Sequence, residues 1–129
     1  MEFKINSKML EKHLSKVIPA VPSRTPMPVL ENFLFDLKDG LLTVSATDLE
    51  IALKSSINVP SDENIKMVVP ARLIHDVVRN LGDVQIIFKT EPNSKLTLST
   101  ETGKYNLSYS SPEDFPEIHS VNKEKERIA

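Results

Sequence analysis

The period of the apolar positions changes several times along the chain, and each change marks an element. Residues 2–5 (EFKI) alternate and predict a short strand. From residue 7 to 18 the period becomes helical, with Leu10, Leu14, Val17 and Ile18 on one stripe. Asn6 or Ser7 is placed to cap this helix, and Pro19 and Pro22 stop it. Residues 19–28 (PAVPSRTPMP) then form a proline-stiffened connection. Strands are predicted over 29–37, 41–46 and 50–59. The first two are joined by Asp39-Gly40, a strong hairpin signal between apolar runs.

The order then begins again. A strand over 65–69 leads through Pro70 into a helix over 71–81. Leu73, Ile74, Val77, Val78 and Leu81 are its apolar positions, and Gly82 is a suitable terminator. Strands follow over 84–89, 95–99 and 104–110, after which residues 111–118 (SPEDFPEI) leave the sheet. Each half therefore reads as strand, helix and three strands, a βαβββ unit of about 60 residues. In each half a Thr-acid pair sits in the connection before the last strand: Thr47-Asp48 and Thr100-Glu101. The expected fold class is α+β, with two helices side by side on a curved antiparallel sheet.

Composition narrows the class without changing this picture. The chain has 129 residues, 40% of them apolar and 26% charged, which suits one folded domain. Five Phe, two Tyr and no Trp leave the core to Leu, Ile and Val. The absence of cysteine excludes disulfides, thiolate metal sites and a Cys nucleophile. No signal peptide or membrane-length apolar run is present, which fits a cytoplasmic protein.

The net charge of −2 argues against a small domain that grips nucleic acid tightly, so the placement of basic residues matters more than their sum. Lys8, Lys12 and Lys16 recur at i, i+4 and i+8 on the first helix. Arg72, His75 and Arg79 recur at i, i+3 and i+7 on the second, and Arg24 lies in the stiff connection. Such stripes fit loose, sequence-independent contact with phosphates, and they equally fit the wet face of any soluble helix. Glu11 and Asp76 dilute both.

Nothing in the sequence forms a catalytic constellation. His13, His75 and His119 lack metal-ligand spacing, and Asp48 with Glu50 flanks a strand start where Asp48 is expected to cap a turn. The three glycines read as turns or a terminator and not as a phosphate-cradling loop. No catalytic residue, metal or cofactor is expected.

A series of short pieces runs in order through the chain. It comprises EFKI with Leu10 and Leu14, then Arg24-Thr25-Pro26-Met27-Pro28-Val29-Leu30 followed by Asn32. Asp39-Gly40-Leu41-Leu42, Thr47-Asp48-Leu49-Glu50, Val69-Pro70-Ala71-Arg72 and Asp114-Phe115-Pro116 complete it. Their order and spacing resemble the first domain of the bacterial DNA polymerase III beta subunit, the sliding clamp. The resemblance implies the DNA clamp fold and a non-catalytic processivity factor for DNA replication. In that family, subunits of three like domains close head to tail into a ring around duplex DNA. Helices line the hole and sheets form the outer wall.

By the same resemblance Arg24 and Arg72 face double-stranded DNA, with Lys12, Lys16, His75 and Arg79 as further candidates. The last strand, residues 104–110, forms one side of the contact with a second clamp subunit. Lys104 lies on this strand, with Tyr105 and Leu107 as its apolar contacts. Polymerase and clamp loader bind through domains not contained in this sequence. Membership of a DNA-directed DNA polymerase holoenzyme would then imply neither polymerase nor 3′–5′ exonuclease activity here. Residues 1–119 are expected to form the domain, and 120–129 a charged linker toward a further one. The competing expectations are a duplicated α+β protein-binding module without DNA contact, an α+β enzyme using Asp48, Glu50 or a histidine, and a clamp-like domain with a changed role in replication or repair.

Overall fold

The computed structural model describes residues 1–116; the charged segment 120–129 and His119 lie outside the described residues. Eight strands and two helices follow in the expected order. They are β1 (Glu2–Asn6), α1 (Ser7–Val17), β2 (Asn32–Lys38), β3 (Leu41–Thr47), β4 (Ala52–Asn58), β5 (Ile65–Pro70), α2 (Ala71–Arg79), β6 (Gln85–Glu91), β7 (Lys95–Thr100) and β8 (Gly103–Ser108).

The repeat is present, but its two halves exchange a strand. All pairings are antiparallel, in two four-stranded sheets ordered β1-β6-β7-β8 and β4-β3-β2-β5. The first strand of each unit thus joins the sheet of the other. Phe3 lies opposite Phe88, and Phe35 opposite Met67. The expected single sheet is in fact two, meeting at a seam. There Val68 and Ser110 exchange backbone hydrogen bonds of 3.0 and 2.8 Å between β5 and the segment just after β8.

Local chemistry accounts for the boundaries. Asn6 caps α1, its side-chain oxygen accepting from the Met9 amide at 3.0 Å. Ser7 is fully buried. It donates to the Gly82 carbonyl at 2.5 Å and accepts from the Val84 amide at 2.9 Å, which ties the start of α1 to the loop after α2. Asp39 (φ 52°) and Gly40 (φ 80°) are both left-handed, as a two-residue hairpin turn between right-twisted strands requires. The strand expected from residue 29 starts instead at Asn32, because Pro28–Glu31 forms a 3₁₀ turn. The strand expected from residue 50 starts at Ala52, because Asp48 accepts from the amides of Glu50 (2.9 Å) and Ile51 (2.8 Å).

The core fills the space between the sheets and beneath the helices. Leu10, Leu14 and Val17 of α1 and Ala71, Ile74 and Val78 of α2 are buried. Phe3 stacks on Phe88 with centroids 4.8 Å apart, and Phe35 of the other sheet lies 6.2 Å from Phe88, so aromatic contact joins the two sheets. Leu73 was expected on the apolar face of α2, yet it is half exposed, since Ala71, Ile74 and Val78 define the buried stripe.

Candidate nucleic-acid interface

Helices α1 and α2 pack against each other as well as against the sheet β4-β3-β2-β5. Two polar ties fix their approach. The Ser15 hydroxyl donates to Glu11 at 2.5 Å, with the His75 Nε2 atom 3.2 Å away from the same hydroxyl. Arg72 donates to the Val21 carbonyl at 3.2 Å, which binds the first turn of α2 to the chain leaving α1.

Lys12 and Lys16 of α1, Arg72 and Arg79 of α2, and Arg24 of the connection are exposed. The six residues expected to meet DNA do not contribute equally. Arg79 is paired with Asp76 at 2.6 Å, so part of its charge is already balanced within α2. His75 is only 14% exposed and sits between the helices, 3.9 Å from Glu11. It is a spacer of the helix pair more than a member of the wet face. Its i, i+3, i+7 spacing from Arg72 and Arg79 could not reveal this, because its partners Ser15 and Glu11 lie on the other helix.

His13 was not among the expected site residues. It is half-buried against β4, where its Nδ1 shares a short hydrogen bond with the Ser55 hydroxyl. Burial, and then the positive charges of Lys16 and Lys12, hold its pKa below the ordinary 6.5. At neutral pH it adds no charge to the helical face. Its position within the lysine stripe was visible in the sequence; its contact with Ser55 was not.

The strand expected at a subunit contact also divides by face. Lys104 and Asn106 point away from the core, while Tyr105 and Leu107 lie on the core side, opposite Leu98 and Leu96 of β7. Tyr105, 38% exposed, forms the rim of that core. Leu107 is 7% exposed and packs within the core itself. Among the described residues, hydrogen-bonded pairing engages β8 on one side, with β7. Among the described residues, no group of three or more His, Cys, Asp or Glu side chains could hold a metal ion. No helix among them is long and apolar enough to cross a membrane.

A strand-exchanged duplication carrying two adjacent helices with an exposed basic face defines the class: an α+β domain of the DNA-clamp type. The family model for the N-terminal domain of the DNA polymerase III beta subunit matches residues 1–119. The chain therefore belongs to the DNA polymerase III beta subunit family, as its N-terminal domain.

Relatives agree. The chain is 32% identical over 127 residues to a beta sliding clamp of Vibrio harveyi, covering 98% of this chain and 88% of that sequence. It is 30% identical over 123 residues to the beta sliding clamp of Buchnera aphidicola, covering 95% of this chain and 34% of the relative. A crystal structure of the Pseudomonas aeruginosa sliding clamp bound to griselimycin superposes with a TM-score of 0.86 at 31% identity, over 93% of this chain and 33% of that one. The chain thus spans about a third of the length of several of its relatives. The reading as an unrelated protein-binding module is not favoured.

Proposed function

We propose that this domain is part of a ring that encircles double-stranded DNA and slides along it, holding a replicative polymerase on its template in the cytoplasm. It acts in this role without catalysis of its own. The observation that carries the reading is the packing of α1 against α2 with Lys12, Lys16, Arg24 and Arg72 exposed around them. In a closed ring these side chains face the duplex. Arg79 contributes less because Asp76 holds it, and His75 supports the helix spacing.

Sliding requires weak contacts. Lysines and arginines at a wet surface neutralise phosphates without reading bases, so the energy varies little as the duplex moves. Retention then comes from closure of the ring, and a net charge of −2 over the chain is compatible with a basic inner face. Closure needs a second subunit, and β8 is the strand we assign to that contact. Its backbone edge and the rim residue Tyr105 make the join, with Lys104 beside them. Polymerase and clamp loader bind elsewhere in the complete subunit.

The test uses a full-length subunit carrying this domain, loaded onto nicked circular DNA. Arg24→Glu combined with Arg72→Glu is expected to shorten retention and processive synthesis by about tenfold at moderate salt, with subunit assembly unchanged by sedimentation. Retention equal to the parent's would overturn the assignment of this face to DNA.

A further inference from the structure

Two arginines of α2 are engaged within the domain, and they are engaged differently. Arg79 holds Asp76 on its own helix at 2.6 Å. Arg72 reaches off its helix, its Nη2 donating to the Val21 carbonyl at 3.2 Å across 51 residues of chain. Arg24 stands a few residues past Val21 and, among the described residues, has no hydrogen bond or ion pair.

The base of Arg72 is rigid. Val69 and Ala71, on either side of Pro70 where β5 passes into α2, are fully buried. The connection it reaches is held more sparsely. The Val21 side chain lies in the core, which fixes where the chain leaves α1. The next peptide joins Val21 to Pro22 and has no N–H, so its carbonyl is its one hydrogen-bonding group. That carbonyl is the one Arg72 holds. Val21 is extended, at φ −85° and ψ 117°, the conformation to which a following proline drives a residue. The proline ring shares the same peptide unit and fixes the next φ at about −65°. With that peptide set, only the ψ of Pro22, the dihedrals of Ser23 and the φ of Arg24 remain to direct Arg24. Among the described residues Pro22, Ser23 and Arg24 make no hydrogen bond of their own; the next tie is the Met27 amide donating to the Thr25 hydroxyl at 3.1 Å.

We propose that Arg72 acts on DNA contact as a positioning residue for Arg24. By holding the Val21–Pro22 peptide it sets the direction in which the connection carries Arg24 toward the duplex. The proposal rests on the reading of the helical face as the DNA side, and adds a dependence between two of its residues. Arginine suits the task, because one N–H is directed at the carbonyl while the planar group keeps its charge. Two independent phosphate contacts add in free energy; a contact and the group that positions it do not.

The test is a double-mutant cycle in a full-length subunit carrying this domain, with binding to a primed duplex at low salt read by anisotropy. Arg24→Met, Arg72→Met and the pair remove the guanidinium groups and keep apolar stems. Each single variant is expected to weaken binding by about fivefold, and the pair by no more than about twofold beyond either. The slope of log affinity against log salt is expected to fall by about 0.9 in all three. A loss of about 25-fold in the pair, with the slope lower by about 1.8, would make Arg72 a separate phosphate contact and overturn the proposal. Full affinity in Arg72→Met, with Arg24→Met weakened, would overturn it too. Unchanged binding in all three variants would instead remove the reading of the helical face, and the proposal with it. A second readout is independent of DNA. In this chain Arg72→Met is expected to shift the amide resonances of Ser23 and Arg24, while Arg79→Met, an equal charge change on the same helix, leaves them in place. Unshifted Ser23 and Arg24 amides in Arg72→Met would count against the proposal whatever the binding data; thermal melts check that both variants fold.

Discussion

Single residues set the pH response and the strain of this domain. His13 is kept neutral by burial and by Lys16 and Lys12. In the unfolded chain it takes up a proton near the ordinary 6.5, while in the folded chain it does so only at lower pH. The unfolded state therefore binds more protons in that interval, and stability falls as pH drops through it. Above about pH 6.5 the contribution is complete. Urea titrations between neutral and mildly acidic pH are expected to show this slope in the parent and a shallower one in His13→Gln.

Leu49 offers a second test. It stands at φ 81°, in the left-handed region, and its side chain is 59% exposed, so strain is not offset by burial. Leu49→Gly is expected to stabilise the domain by up to about 1 kcal/mol in thermal melts. Of the site residues, the exposure of Lys12, Lys16 and Arg24 followed from helix period and loop position. The Ser15–Glu11–His75 contact did not, because sequence spacing relates positions along one helix and is silent on what a neighbouring helix brings.

At the scale of elements, the pattern predicted each strand and helix in order and missed mainly their ends. Those ends depend on turns: the 3₁₀ turn at Pro28–Glu31 delays β2, and the Asp48 turn delays β4. For β8 the two-residue period already held the answer. Tyr105 and Leu107 must share a face, and Lys104 and Asn106 the other. Since Leu107 lies opposite the buried Leu96, the shared face is the inner one. Leu107→Ala is accordingly expected to cost about 2–4 kcal/mol in urea unfolding. Tyr105→Ser should cost under about 1.5 kcal/mol, since half its bulk is at the rim, while weakening closure of the complete ring in sedimentation. Equal costs for the two would contradict the difference in their burial.

For the molecule as a whole, strand exchange is the feature that sequence patterning could not supply. Alternation tells which residues face inward but not which strand lies alongside. Each sheet holds three strands of one repeat and one of the other, so neither repeat has a complete sheet alone. Residues 1–61 and 62–129 prepared separately are expected to show little ordered structure by circular dichroism, and to regain it on mixing. Independent folding of either half would mean that the exchange is dispensable.

The seam at Val68 and Ser110 has a mechanical consequence. Any pull on the chain beyond Pro116 must pass Ser110 before it reaches β8, and at Ser110 two hydrogen bonds to Val68 resist it. The load is handed across the seam to β5, which is paired to β2 along its length. Tension applied there would pass from one sheet to the other through the seam while β8 stays in place.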